Sequence, residues 1–159
     1  MGIVSTVLSF FGKDVKVDRG SGDNVTAQHF GPSGDDSPPL AGDYAVLSNA
    51  AGTGRQSAVG YRDAKNAGEA APGEKRLYAR NSSGVVMATI WATGAGEISI
   101  FNNNGAFTLE PNGDVVINGV RISKTGVITL PNGVILNTHL HAQPNDSAGN
   151  TEANTSGPI

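Results

Sequence analysis

From Gly84 to His141 the chain repeats one short pattern, a glycine followed by apolar residues two and four places on. Gly96 precedes Ile98 and Ile100, Gly105 precedes Phe107 and Leu109, Gly113 precedes Val115 and Ile117, and Gly126 precedes Ile128 and Leu130. Gly84 leads to Val86 and Ala88 with Ile90 beyond, and Gly133 leads to Ile135 before the run ends. A period of two predicts strands, because successive side chains leave a strand on opposite faces. Between these short strands stand Asn102-Asn103-Asn104-Gly105, Pro111-Asn112-Gly113, Asn118-Gly119 and Pro131-Asn132-Gly133, all of them turn chemistry.

The first half of the chain reads differently. Val15 and Val17 alternate with Lys16 and Asp18 and predict a first strand; residues 25–30, 44–47, 57–61 and 76–80 predict others, separated by loops rich in Gly, Asp and Pro. Five or six short strands in about 70 residues fit a small barrel of the oligonucleotide/oligosaccharide-binding (OB) kind. The expected organisation is therefore a docking segment at 1–12, an OB-like barrel at 13–81, a strand-repeat shaft with its tip at 82–141, and a polar tail at 142–159. Residues 2–11 are apolar with Ser and Thr between and fit a docking strand or a short helix equally well.

The repeat poses a burial problem. A single chain so arranged shows one apolar row and has little else with which to cover it. Each inward side chain, once fully buried, is worth roughly 1.5–3 kcal/mol. Several copies wound round a common axis would hide the row and close the sheet edges together.

Composition narrows the function classes. The chain has 159 residues and a formal charge of -3. Residues 1–80 carry nine Lys or Arg against nine Asp or Glu, and residues 81–159 carry two against five. A neutral front and a weakly acidic back argue against a nucleic-acid groove, which needs a basic stripe. With no cysteine, disulfides and thiolate metal sites are excluded. The opening residues lack the basic flank and small-residue cleavage site of a secretory leader. No enzyme is expected either: the chain has no Gly-x-Ser-x-Gly elbow, and Glu97, Glu110 and Asp114 fall outward or at turns of the repeat.

The candidate chemistry is a pair of histidines. His139 and His141 stand one residue apart in Thr138-His139-Leu140-His141, so an extended backbone turns both imidazoles the same way. Two nitrogens from one chain make a weak site, and the pair also fits plain solvent-facing polar residues where the repeat fades. Three chains round an axis would bring six imidazoles together, a set suited to iron, nickel or copper and less to zinc, whose structural sites are tetrahedral.

The order of these pieces carries a resemblance. Asn24-Val25-Thr26-Ala27-Gln28-His29-Phe30, Gly34-Asp35-Asp36-Ser37-Pro38-Pro39-Leu40, Gly42-Asp43-Tyr44 and Pro72-Gly73-Glu74-Lys75-Arg76-Leu77-Tyr78 are followed by the glycine-punctuated run ending in His139-Leu140-His141. Over roughly residues 10–145 the chain resembles the cell-puncturing central tail spikes (baseplate assembly protein V-like) of contractile-tailed bacteriophages such as P2 and Mu. The resemblance implies an all-β homotrimer in which OB-like barrels form a collar and the later strands wind into an intertwined triple-stranded β-helix. It implies one iron ion per trimer, held octahedrally at the apex by His139 and His141 of each chain. Ile98, Ile100, Phe107, Leu109, Val115, Ile117, Ile128 and Leu130 become the axial core. The implied partners are the baseplate hub and tail tube, with no nucleic acid. The host outer membrane is met mechanically when the sheath contracts, and the implied location is the distal tip of the virion tail after synthesis in the bacterial host cytoplasm. The tip of a bacterial secretion or contractile-injection machine, or a trimeric host-surface adhesin, is the alternative.

Overall fold

A computed structural model describes residues 3–49, 54–141, 145, 147–150 and 153. Among them every regular element is a β-strand. In chain order these are β1 (Ile3–Phe11), β2 (Asp14–Asp18), β3 (Asn24–His29), β4 (Tyr44–Asn49), β5 (Gln56–Arg62) and β6 (Lys75–Arg80). They continue with β7 (Val86–Ala92), β8 (Ile98–Asn102), β9 (Gly105–Leu109), β10 (Val115–Ile117), β11 (Val120–Ile122) and β12 (Ile128–Thr129). The chain forms two compact units. One runs through Glu69 and includes Asn81–Val85; the other takes Ala70–Arg80 and continues from Val86.

The first unit is a closed five-stranded barrel in the order β1-β2-β3-β5-β4, with β4 returning to β1. All its neighbours are antiparallel except β3 and β5. This Greek-key barrel matches the expected OB-like architecture. Alternation makes its core. Val15 and Val17 of β2, Ala27 of β3, Ala45 and Leu47 of β4, Ala58 of β5 and Val7 of β1 are all buried, with Phe10, Val25 and Tyr61 packed around them. Lys16, between the two valines, points to solvent.

Residues 1–12 were expected as a separate docking segment, yet β1 is a wall of the barrel, pairing with both β2 and β4. The apolar run gave no clean alternation because the β1–β2 register shifts between Val7 and Ser9, which sets Leu8 outside. Residues 76–80 were expected to finish the barrel, but β6 is an edge of the other sheet. Its partner is chosen locally: Asn81 to Gly84 is a tight turn that folds β6 back on β7.

The second unit is a seven-stranded antiparallel meander in the order β12-β11-β10-β9-β8-β7-β6. It therefore begins at Lys75 and not at residue 82. One turn design recurs along it. In Asn81–Val85, Thr93–Glu97, Glu110–Asp114, Ser123–Val127 and Leu130–Val134 the first N–H reaches the last carbonyl, and the glycine N–H in fourth place reaches the first carbonyl. Each of those glycines has φ between 81° and 91°, a region in which a Cβ would be strained. Asn118-Gly119, with φ of 48° and 87°, makes the two-residue hairpin between β10 and β11. The reading of 142–159 as a tail along the side of the shaft falls almost wholly outside the described residues.

Candidate assembly face and metal centre

The register of the meander aligns its apolar residues into two continuous rows on one face. One row crosses the sheet as Leu77, Ile90, Ile100, Phe107, Ile117 and Val120. The other, two residues along every strand, is Ala92, Ile98, Leu109, Val115, Ile122 and Ile128. Seven of the eight expected core positions fall in these rows; Leu130 lies just past β12, at the start of the closing turn. Leu77, Ile90, Ala92, Val120 and Ile122 were not foreseen. For Val120 and Ile122 the signal was present, since an Asn-Gly turn followed by alternating branched residues predicts a returning strand.

This face is open to solvent within the single chain. Leu77 is 54% exposed, Ile100 49%, Ile90 46%, Ile98 43% and Ile117 42%. A hollow of about 430 Å³ lies on the sheet, with Ala88, Ile100, Phe107, Ile117 and Asn118 in its wall. The buried residues of the sheet are, by contrast, polar: Thr89 at 3%, Ser99 at 8% and Asp114 at 9%. A lone folded sheet should bury the reverse set.

The opposite face is held by hydrogen bonds and stacking. Thr89 lies between Tyr78 and Phe101 in register, and Ser99 lies between Trp91 and Thr108. Ser99 Oγ donates to Glu97 Oε1 at 2.7 Å. The Arg76 guanidinium sits 4.5 Å from the Tyr78 ring centre and 5.4 Å from that of Trp91. Glu74 accepts from Trp91 Nε1 at 3.0 Å, Ala71 N at 3.1 Å and Gly94 N at 3.3 Å. Those donors, the Ala71 N–H first, hold its carboxyl below the usual range.

Farther along, Asp114 ties two turns together. Its carboxylate accepts from Lys124 N at 2.9 Å, from Asn112 Nδ2 at 3.3 Å and from Arg121 Nη1, while Arg121 Nη2 reaches Glu110 Oε1 at 2.8 Å. The Lys124 N–H leads in holding the Asp114 carboxyl low, with Arg121 and Asn112 adding to it against the opposing effect of burial. The two carboxylates in turn raise the Arg121 guanidinium further above its already high range.

The histidine pair lies past the last paired strand. A lone bridge joins Thr129 to Ile135, and the chain turns through 136–138, so the motif is not on a strand as expected. The rings nevertheless meet: their centres are 4.9 Å apart, at 86° to one another. His139 Nδ1 is 2.9 Å from the Leu136 carbonyl oxygen. A carbonyl only accepts, so Nδ1 carries the proton and the lone pair is on Nε2. That backbone anchor is how metal-binding histidines are commonly oriented. The donor set fits an imidazole-binding transition metal, of which the described residues bring two imidazoles together. Among the described residues no three His, Cys, Asp or Glu gather within the chain.

No protein-family model matches this chain, and no curated protein matches it in sequence.

Proposed function

We propose that this chain is one subunit of a trimeric, non-enzymatic central spike of a contractile phage tail baseplate, which pierces the host outer membrane when the sheath contracts. Three meanders wind into a triple-stranded β-helix with their apolar rows turned to the common axis, and the barrels form a collar toward the hub and tube. His139 and His141 of each chain hold an iron ion at the apex. The ion supplies a cross-link between three chain ends at the point where strands fray most readily; no redox step is required of it.

One observation carries this reading: the sheet buries Thr89, Ser99 and Asp114 while Leu77, Ile90, Ile98, Ile100, Phe107 and Ile117 of its aligned apolar rows stay exposed. Such a face is worth roughly 1 kcal/mol per half-buried side chain once covered, and copies of itself cover it with matching length and register. Stiffness follows, because parting the chains would expose every row at once. Metal binding to the folded trimer alone would add to its stability by mass action.

The test combines mass and metal content on the full chain. The purified protein should run at three times 16.2 kDa and contain iron, and His139→Ala and His141→Ala should each lose the metal while remaining trimeric below the apex. Full iron content in both variants defeats the ligand assignment. A 16.2 kDa particle defeats the spike.

A further inference from the structure

Four asparagines of the meander stand directly before a glycine: Asn104, Asn112, Asn118 and Asn132. Such a pair can cyclise, because glycine has no Cβ to hinder its own nitrogen as that nitrogen approaches the asparagine side chain. The reaction needs a side-chain amide that is free to swing and a glycine N–H that is free to give up its proton. The four turns meet these needs unequally.

Three of the four side chains are fastened. Asn112 Oδ1 accepts the Asp114 N–H at 2.9 Å and its Nδ2 donates to Asp114 Oδ2 at 3.3 Å, while the Gly113 N–H donates to the Glu110 carbonyl at 2.9 Å. Asn132 Oδ1 accepts the Val134 N–H at 3.2 Å, and the Gly133 N–H donates to the Leu130 carbonyl at 2.9 Å. Asn118 holds a φ of 48°; its N–H donates to the Ala106 carbonyl at 3.0 Å and its Oδ1 accepts the Ala106 N–H at 2.8 Å. Asn104 differs. It is exposed at the tip of the β8–β9 hairpin, and among the described residues its side chain has no hydrogen bond. The Gly105 N–H, which would have to ionise, is held by Asn102 Oδ1 at 3.1 Å, and that oxygen is shared with the Asn104 N–H at 2.7 Å.

We propose that Asn104 is a self-modification site, the first of the four to deamidate, with Asn102 restraining the attacking nitrogen. The Gly105 nitrogen gives its proton to water and bonds to Asn104 Cγ; the bond from Cγ to the side-chain nitrogen breaks, and that nitrogen leaves as ammonia. Water then opens the five-membered imide at either of its carbonyls. One opening leaves an aspartyl residue at position 104. The other leaves an isoaspartyl link, in which the main chain runs through the side chain and is longer by a methylene. Nothing is oxidised or reduced, and water is the co-reactant. Either product sets a carboxylate beside the hollow that Ile100, Phe107 and Ile117 line. The reacting groups all belong to one hairpin.

Peptide mapping of the full chain tests it, after ageing in mildly alkaline buffer either folded or in concentrated urea. Conversion is read site by site as the amide-to-acid mass increment and as isoaspartyl groups that a methyltransferase labels. In urea the four sites should convert at comparable rates. In the folded chain Asn104 should lead the other three by about fivefold or more, the factor expected where one further hydrogen bond must open elsewhere. Asn102→Ala should quicken conversion at position 104 and leave the other three sites unchanged, and Asn104→Gln should remove the leading signal. Another of the four converting as fast as Asn104 in the folded chain, or no conversion at Asn104, overturns the proposal. So does the same lead persisting in urea, a leading signal that survives Asn104→Gln, or an Asn102→Ala rate no faster than that of the parent chain.

Discussion

At Gly105 the sheet has used the absence of a side chain. A Cβ built there would lie 2.5 Å from Asn118 Oδ1, the atom that accepts the Ala106 N–H at 2.8 Å. Gly105→Ala should therefore cost about 1–3 kcal/mol by overpacking, read as a lower denaturation midpoint of the meander. Adding Asn118→Gly should recover part of the steric loss but not the lost hydrogen bond; strict additivity of the two changes would refute the clash. In the barrel, Tyr61 offers a pH test. Its hydroxyl is 2.9 Å from His29 Nδ1, and burial pushes its pKa from 10.0 up to about 12. The fold thus favours the neutral phenol. Its contribution is intact below pH 10, where unfolded tyrosine is also protonated, and is lost as pH rises through about 12. Barrel stability should fall across that window, and Tyr61→Phe should flatten the fall. An unchanged alkaline limb in the variant would assign the loss to other groups.

Single strands of two to seven residues hold the meander together through their turns as much as through their pairing. Asp114 is the clearest case, since one carboxylate fastens the β9–β10 turn to Lys124 and Arg121. Because its carboxyl is held below 3.8, its stabilisation is present above that pH and disappears as pH falls through the depressed value. Asp114→Asn should lower stability at neutral pH, and its deficit against the parent protein should shrink below pH 3.8. A deficit constant with pH would mean that charge has no part in it. These elements were largely legible beforehand, for physical reasons. Glycines needing positive φ mark the turns, and period-two branched residues mark the strands, so β7 to β10 and β12 fall close to where the sequence set them. Pairing was less legible. Residues 76–80 read as a strand, but strand propensity does not say which sheet a strand joins; the Asn81–Gly84 turn does. β1 was hidden by its bulge at Leu8. At the histidines an extended backbone was expected to turn both imidazoles the same way; residues 139–141 lie past the turn at 136–138, outside any regular element, and there the two rings meet with centres 4.9 Å apart.

For the whole molecule, the decisive property is where its apolar surface lies. The barrel is self-sufficient, with Val7, Val15, Val17 and Leu47 no more than 1% exposed. The meander has no comparable set among the described residues, and its branched side chains line up as though a core had been opened flat. Ile100 lies at the centre of one row, between Ile90 and Phe107. At 49% exposed, it can be replaced by Asp at little cost if the chain works alone, because the new carboxylate would reach water. If the rows meet on a common axis, the same change places three like charges together in a dry core, where an unpaired charge costs several kcal/mol. Ile100→Asp is therefore expected to abolish assembly, dropping the measured mass to 16.2 kDa and removing bound iron with it, while the barrel keeps its folded signature. Lys16→Asp, on the outer wall of the barrel, serves as the matched control and should leave mass and metal unchanged. If Ile100→Asp stays trimeric and metal-loaded, the apolar rows are not the axial core, whatever the oligomeric state proves to be.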